Sequence, residues 1–184
     1  NRRFVGPDGK IVDWRGSSSK NPRHAELPEG LIDPWLKTVA FYDGATKIAA
    51  FHYYACHPMS YYGDGKVCSE FVGLARKRRQ AEEPGCAHIY FTGCSGNIAA
   101  GKYNNGSKEA RIQLTDRMYA AIVASEQSLR PEKIAQASWQ TRDILLQPRA
   151  TFNETDLMTQ VRNKDNAVAN RIRPAMMLSW LRRC

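Results

Sequence analysis

The run Phe51-His52-Tyr53-Tyr54-Ala55-Cys56-His57-Pro58-Met59-Ser60 constrains this chain more than any other. Its first half has almost no polar alternation, which is the pattern of a strand covered on both faces in the middle of a sheet. Its second half runs out into a loop at His57-Pro58, where proline holds the preceding residue extended and removes an amide donor. A second run has the same form: Ile89-Tyr90-Phe91 enters Thr92-Gly93-Cys94-Ser95-Gly96-Asn97. Strands that end in polar, glycine-rich loops are how an α/β protein commonly builds a site. The central question is whether these two ends meet.

The elements around them can be placed in order. Residues 1–36 are irregular and rich in Pro, Gly and Ser, which predicts an extended arm held down by Trp14, Leu31 and Trp35. Thr38–Tyr42 and Lys47–Ala55 flank Asp43-Gly44, a hairpin signal. Val67, Phe71, Leu74 and Ala75 recur at helical spacing, giving a helix over 69–80 with Ser69 as its cap. A strand over 88–92 follows. Ala110, Leu114, Met118, Ala121, Ile122, Ser125 and Leu129 then mark one face of a helix over 108–129. Residues 134–146 alternate like an edge strand, and the remainder is helical, interrupted at Pro174. This order predicts an α/β fold: a layered mixed sheet flanked by helices, with parallel pairing around the two loops. We expect one domain over 1–184. The start at Asn1-Arg2-Arg3 and the stop on a helical pattern suggest a fragment of a larger catalytic domain.

Composition narrows the function classes. Hydrophobic content of 42% and charged content of 24% are those of a globular chain and not of a disordered one. The net charge of +9 invites a nucleic-acid reading. However, the basic residues are dispersed, and Arg76-Lys77-Arg78-Arg79 points around most of a helix circumference, so nucleic acid is not the expected partner. A basic rim facing anionic substrates or a membrane surface stays open. The five cysteines, Cys56, Cys68, Cys86, Cys94 and Cys184, lack Cys-x-x-Cys spacing, so a zinc ribbon is unsupported. No run approaches transmembrane length, and no signal peptide is present in the sequence.

Of the four histidines, His57 is the candidate ligand or general base, the alternative being a hydrogen-bonded structural histidine. His52, at an odd offset from it, points to the opposite face and reads as structural. His24 and His88 have no partner nearby in sequence. The loop Gly93–Asn97 has the small residues that let amides approach a substrate oxygen, with Asn97 able to hydrogen-bond there. Cys94 or Ser95 could serve as a nucleophile, though no base lies close in sequence. Gly63-Asp64-Gly65 reads as a turn. These residues by themselves name no reaction.

Three blocks in order, His57-Pro58-Met59-Ser60, Ser69-Glu70-Phe71-Val72-Gly73-Leu74-Ala75-Arg76 and Tyr90-Phe91-Thr92-Gly93-Cys94-Ser95-Gly96-Asn97-Ile98, resemble the neutral/alkaline (non-lysosomal) ceramidase family. Asn1-Arg2-Arg3 is similar to an Asn-Arg element that precedes this region in the family, and the likeness extends over roughly Asn1 to Leu129. The resemblance implies a zinc-dependent hydrolase of an amide (N-acyl) bond, acting on a small-molecule or lipid substrate. It further implies a secreted or periplasmic (cell-envelope) location. It makes His57 a Zn2+ ligand, Asn97, Ser95 and Gly96 catalytic candidates, and Gly93, Cys94 and Ser60 substrate-side candidates. The family's other zinc ligands find no matching stretch, which places them outside this chain. The family's serine nucleophile corresponds to Ala99, and its preceding Asp to Asn97. The resemblance therefore implies either a metal-bound water as nucleophile, or a catalytically inactive domain that binds a lipid, glycan or protein.

Overall fold

The computed structural model describes the chain apart from residues 61–64, 146, 148–151 and 184. It is an α/β protein. The chain divides into two compact units, Asn1–Glu132 and Lys133–Cys184, where one domain over 1–184 was expected.

The first unit is built on a three-stranded sheet. β3 (Lys37–Asp43) and β4 (Thr46–Tyr54) form the expected hairpin around Asp43-Gly44. The turn needs Gly44, whose φ is +59°. β5 (Ala87–Thr92) adds parallel to β4, so β4 is central, as its unbroken apolar run predicts. The crossover carries α2 (Glu70–Glu82), and α3 (Lys108–Gln127) follows β5. Both helices cover the same face of the sheet. Phe71, Val72 and Ala75 of α2 meet Leu114, Met118 and Ile122 of α3 in one core with Cys56 and Ala100. The buried positions of α3 keep the spacing read from the sequence, and Ser107 caps the helix by accepting the Ala110 amide at 3.1 Å.

The other face differs from expectation. β4 was expected to be covered on both sides. Instead Val39, Phe41, Phe51, Ile89 and Phe91 stay half-exposed, with Phe51 centred 5.1 Å from Phe41 and 5.5 Å from Phe91.

The N-terminal arm is more ordered than its composition suggests. It contains a small hairpin, β1 (Arg3–Val5) with β2 (Ile11–Trp14), and a short helix, α1 (Pro22–Glu26), capped by Asn21 with Pro22 in its first turn. Its anchors also differ. Trp14, Leu31 and Trp35 are 47, 88 and 71% exposed, whereas Arg15 is 2% exposed. The Arg15 guanidinium donates to the carbonyls of Asn1, His24, Leu27 and Pro28, so it gathers the arm from within. The backbone then crosses over Gly101, where an added Cβ would lie 2.0 Å from the Gly16 carbonyl oxygen; only glycine admits that approach.

The second unit pairs α4 (Glu154–Arg162) with α5 (Val168–Leu181). The helix break expected at Pro174 is absent. α5 runs through this proline, which is buried with Leu178, so its burial outweighs the loss of one amide bond. The edge strand expected over 134–146 is also absent: residues 134–145 form no strand, and residue 146 lies outside the described residues. Alternation alone gave that stretch no neighbouring strand to pair with.

Candidate functional site

The two strand ends meet. Because β4 and β5 are parallel, both run out at the same edge of the sheet, and a short bridge continues the pairing between His57 and Ala99. The His57 amide donates to the Ile98 carbonyl at 3.0 Å, and the Gly93 amide donates to the Tyr54 carbonyl at 3.0 Å. Gly93 passes so close that a Cβ there would lie 3.3 Å from the Ala55 backbone.

His57 is half-buried, and its Nδ1 lies 3.0 Å from the Ser95 carbonyl oxygen. A carbonyl can only accept, so Nδ1 carries the proton and Nε2 presents its lone pair. This is the arrangement by which proteins orient a metal-binding or basic imidazole. Across from it, the amides of Cys94, Ser95 and Gly96 donate to no acceptor among the described residues. Asn97 faces the arm: its Nδ2 donates to Asn1 Oδ1 at 2.7 Å and its carbonyl accepts from Arg2. Ser95 is 9% exposed, and Cys94 is exposed with a free thiol. Ser60, expected beside substrate, is wholly buried and gives its amide and hydroxyl to the Glu70 carboxylate. Its role is internal, and Asn104 Nδ2 completes it by donating to the carbonyls of Ser60 and Ser17.

The helix start behind this loop is strained. Ser69 occupies the cap position but its side chain caps nothing, and Glu70 has φ +53°. An L residue in that region costs about 1 kcal/mol or more. The carboxylate's hold on Ser60 offsets it. Gly73 gives Ser69 room, since a Cβ there would meet Ser69 Cβ at 2.4 Å. Glu70→Gly loses the carboxylate but also removes the backbone cost, whereas Glu70→Ala loses the carboxylate and keeps that cost. We therefore expect Glu70→Ala to be less stable than Glu70→Gly by about 1 kcal/mol, the reverse of an ordinary helix position. Urea unfolding of the two variants checks this, and the ordinary order would contradict it.

As a zinc centre the described residues are incomplete. His57 belongs to no group of three or more His, Cys, Asp or Glu ligands among them, and a catalytic zinc takes about three protein ligands.

A different polar group sits under the sheet and was not foreseen. His52 and His88 stack, with His52 Nε2 3.0 Å from His88 Nδ1. With Glu126, their ligand atoms lie close enough to one another to hold a metal ion. Their bonds are already committed, however. His88 Nε2–H donates to Glu83, so His88 Nδ1 accepts from His52 Nε2–H, and His52 Nδ1 accepts the Thr38 hydroxyl, which in turn accepts from Ser125. Lys47 and Arg79 each reach Glu126 at 2.6 Å and Glu83 at 2.8 Å, and together they neutralise both carboxylates. A divalent cation would meet two fixed positive charges there, so the cluster reads as structural. Burial pulls the pKa of His52 down to about 4 and that of His88 below its usual range. Burial alone would raise Glu126, but the hydrogen bonds from Lys47 and Arg79 hold it low. His52 and His88 share one face of adjacent strands, but only the β4–β5 register reveals it.

Three of the four residues of the basic run are engaged within this unit. Arg76 donates to the His88 carbonyl, Arg78 lies over the Tyr119 ring at 3.7 Å, and Arg79 joins Glu126. Among the described residues, no helix is long and apolar enough to cross a membrane. Comparison of the chain with family models, curated proteins and solved structures found no match.

Proposed function

We propose that this chain is part of a zinc-dependent, ceramidase-like hydrolase of amide (N-acyl) bonds, with His57 as one metal ligand. One observation carries the reading: the Ser95 carbonyl fixes the His57 tautomer and leaves Nε2 open at the point where two strand ends converge. The remaining ligands would come from outside the described residues. When bound, zinc supplies an activated water as nucleophile, the role that Ala99 leaves open at the family's serine position. Ser95 orients the imidazole, and the free amides at 94–96 are placed to hold developing negative charge on a carbonyl oxygen. The substrate class would be a small-molecule or lipid amide, with a secreted or cell-envelope location and contact with a membrane surface. Metal analysis of the protein expressed from its whole coding sequence tests this. We expect about one zinc per chain, lost on His57→Ala. Absence of zinc, or zinc indifferent to His57, rejects the reading.

A second reading is favoured by Ala99 and Asn97 standing where the family has Ser and Asp: a domain that binds an N-acyl lipid, a glycan or a protein without cleaving it. Turnover of a panel of N-acyl substrates separates the two.

A further inference from the structure

Behind the site lies a cavity of about 230 Å3 between the end of the sheet, the arm and α3. Its floor is apolar, formed by Phe71, Leu114, Met118 and Ala121, and Ala99 forms part of its wall. Its charged residues are unbalanced: Arg15, Lys102 and Arg117 border it, against the single carboxylate of Glu29.

These charges are not equally available. Lys102 Nζ is occupied by the carbonyls of Ala25 and Leu27, and Glu29 already accepts the Tyr103 hydroxyl. Arg15 is 2% exposed and, among the described residues, forms no ion pair; its four acceptors are carbonyls, and its buried Nε–H has no hydrogen-bond partner among them. A buried cation of this kind favours a nearby anion. Arg117 is exposed at the rim and lies over the Tyr103 ring at 4.7 Å, and among the described residues it has no hydrogen-bond or ion-pair partner. Leu114, Arg117, Met118 and Ala121 follow the i, i+3, i+4, i+7 spacing of one helix face, so this cation stands at the edge of the apolar floor.

We propose that this cavity binds a compact monocarboxylate whose apolar body lies on the α3 floor and whose carboxylate meets Arg117 at the rim and the field of Arg15 within. Size sets the class. A dry apolar cavity of about 150 Å3 holds benzene, so 230 Å3 holds roughly nine heavy atoms, which is a medium-chain or aryl carboxylate. A long fatty acyl chain exceeds this volume. The inference stands on the cavity and needs neither the metal nor any hydrolysis.

Calorimetric titration of the chain in EDTA with octanoate, octan-1-ol and hexadecanoate tests it. Octanoate should bind at least about tenfold more tightly than octan-1-ol. Arg117→Gln, at an exposed position, should weaken octanoate about tenfold and leave octan-1-ol unchanged. Ala121→Phe, which fills the floor, should remove both. His57→Ala should retain octanoate binding, so failure of the metal reading and failure of this one are separable. Absence of octanoate binding, equal binding of octanoate and octan-1-ol, or affinity indifferent to Arg117 overturns the proposal. Hexadecanoate binding more tightly than octanoate overturns the size assignment.

Discussion

Glu126→Ala destabilises the first unit by about 3 kcal/mol, because breaking a buried ion pair from one side leaves the other charge without compensation. The carboxylate side chain is 7% exposed, and its partners Lys47 and Arg79 are 12% and 18% exposed. Water cannot replace the lost oxygen atoms well at that depth. Glu83 remains 2.8 Å from both cations, which keeps the cost at the lower end for buried pairs. Glu126→Gln keeps an acceptor of the same shape and costs roughly half as much. Urea unfolding gives both values. A loss below about 1 kcal/mol for the alanine variant would mean that the pair is effectively solvated.

Acidification has the second large effect, and its sign follows from His52. In the folded protein the imidazole is held neutral by burial, with a pKa of about 4, whereas the unfolded chain protonates it near 6.5. Between those values the unfolded state binds the extra proton, so stability is full above pH 6.5 and falls as pH drops to about 4. The loss is about 1.4 kcal/mol per pH unit for one such group. His88 shifts in the same direction. The groups facing the pair are Glu83, Glu126, Lys47, Arg79 and the Thr38 hydroxyl. Glu83 and Glu126 are held below their ordinary range, so they add to the loss at the acid end and do not oppose it. Unfolding free energies at pH 7, 5.5 and 4.5 should fall in that order, and His52→Gln should flatten the slope. A constant free energy from pH 7 to 5 would show that the folded protein takes up protons as readily as the unfolded chain, against the burial of the pair.

Much of the architecture was legible in the sequence because period and punctuation are local. Asp43-Gly44 marked the hairpin, the unbroken apolar run marked β4 as central, and Leu114, Met118 and Ile122 marked the buried side of α3. The convergence of His57 with the Gly93–Asn97 loop followed from two strands ending alike, once parallel pairing was assumed. What was not legible depends on register and on long-range polar partners. Nothing within several residues of His88 announces His52 or Glu126, and Arg15 looks like any surface arginine until four carbonyls of the arm surround it. Ser60 sits beside His57 in sequence, yet Glu70 draws it inward. Pro174 and the alternation over 134–146 misled for the opposite reason. Both are strong local signals, and tertiary context decides whether they act.

The sheet order β3-β4-β5 also sets a sequence of events in folding. β4 meets β3 across a tight turn, so that pairing closes a short loop and forms early. It meets β5 only after the whole crossover with α2 has been drawn in, a closure that costs more entropy before any contact repays it. The His52–His88 stack lies on that second seam. The most polar part of the interior is therefore assembled late, with its imidazoles wet until α2 and α3 close over them.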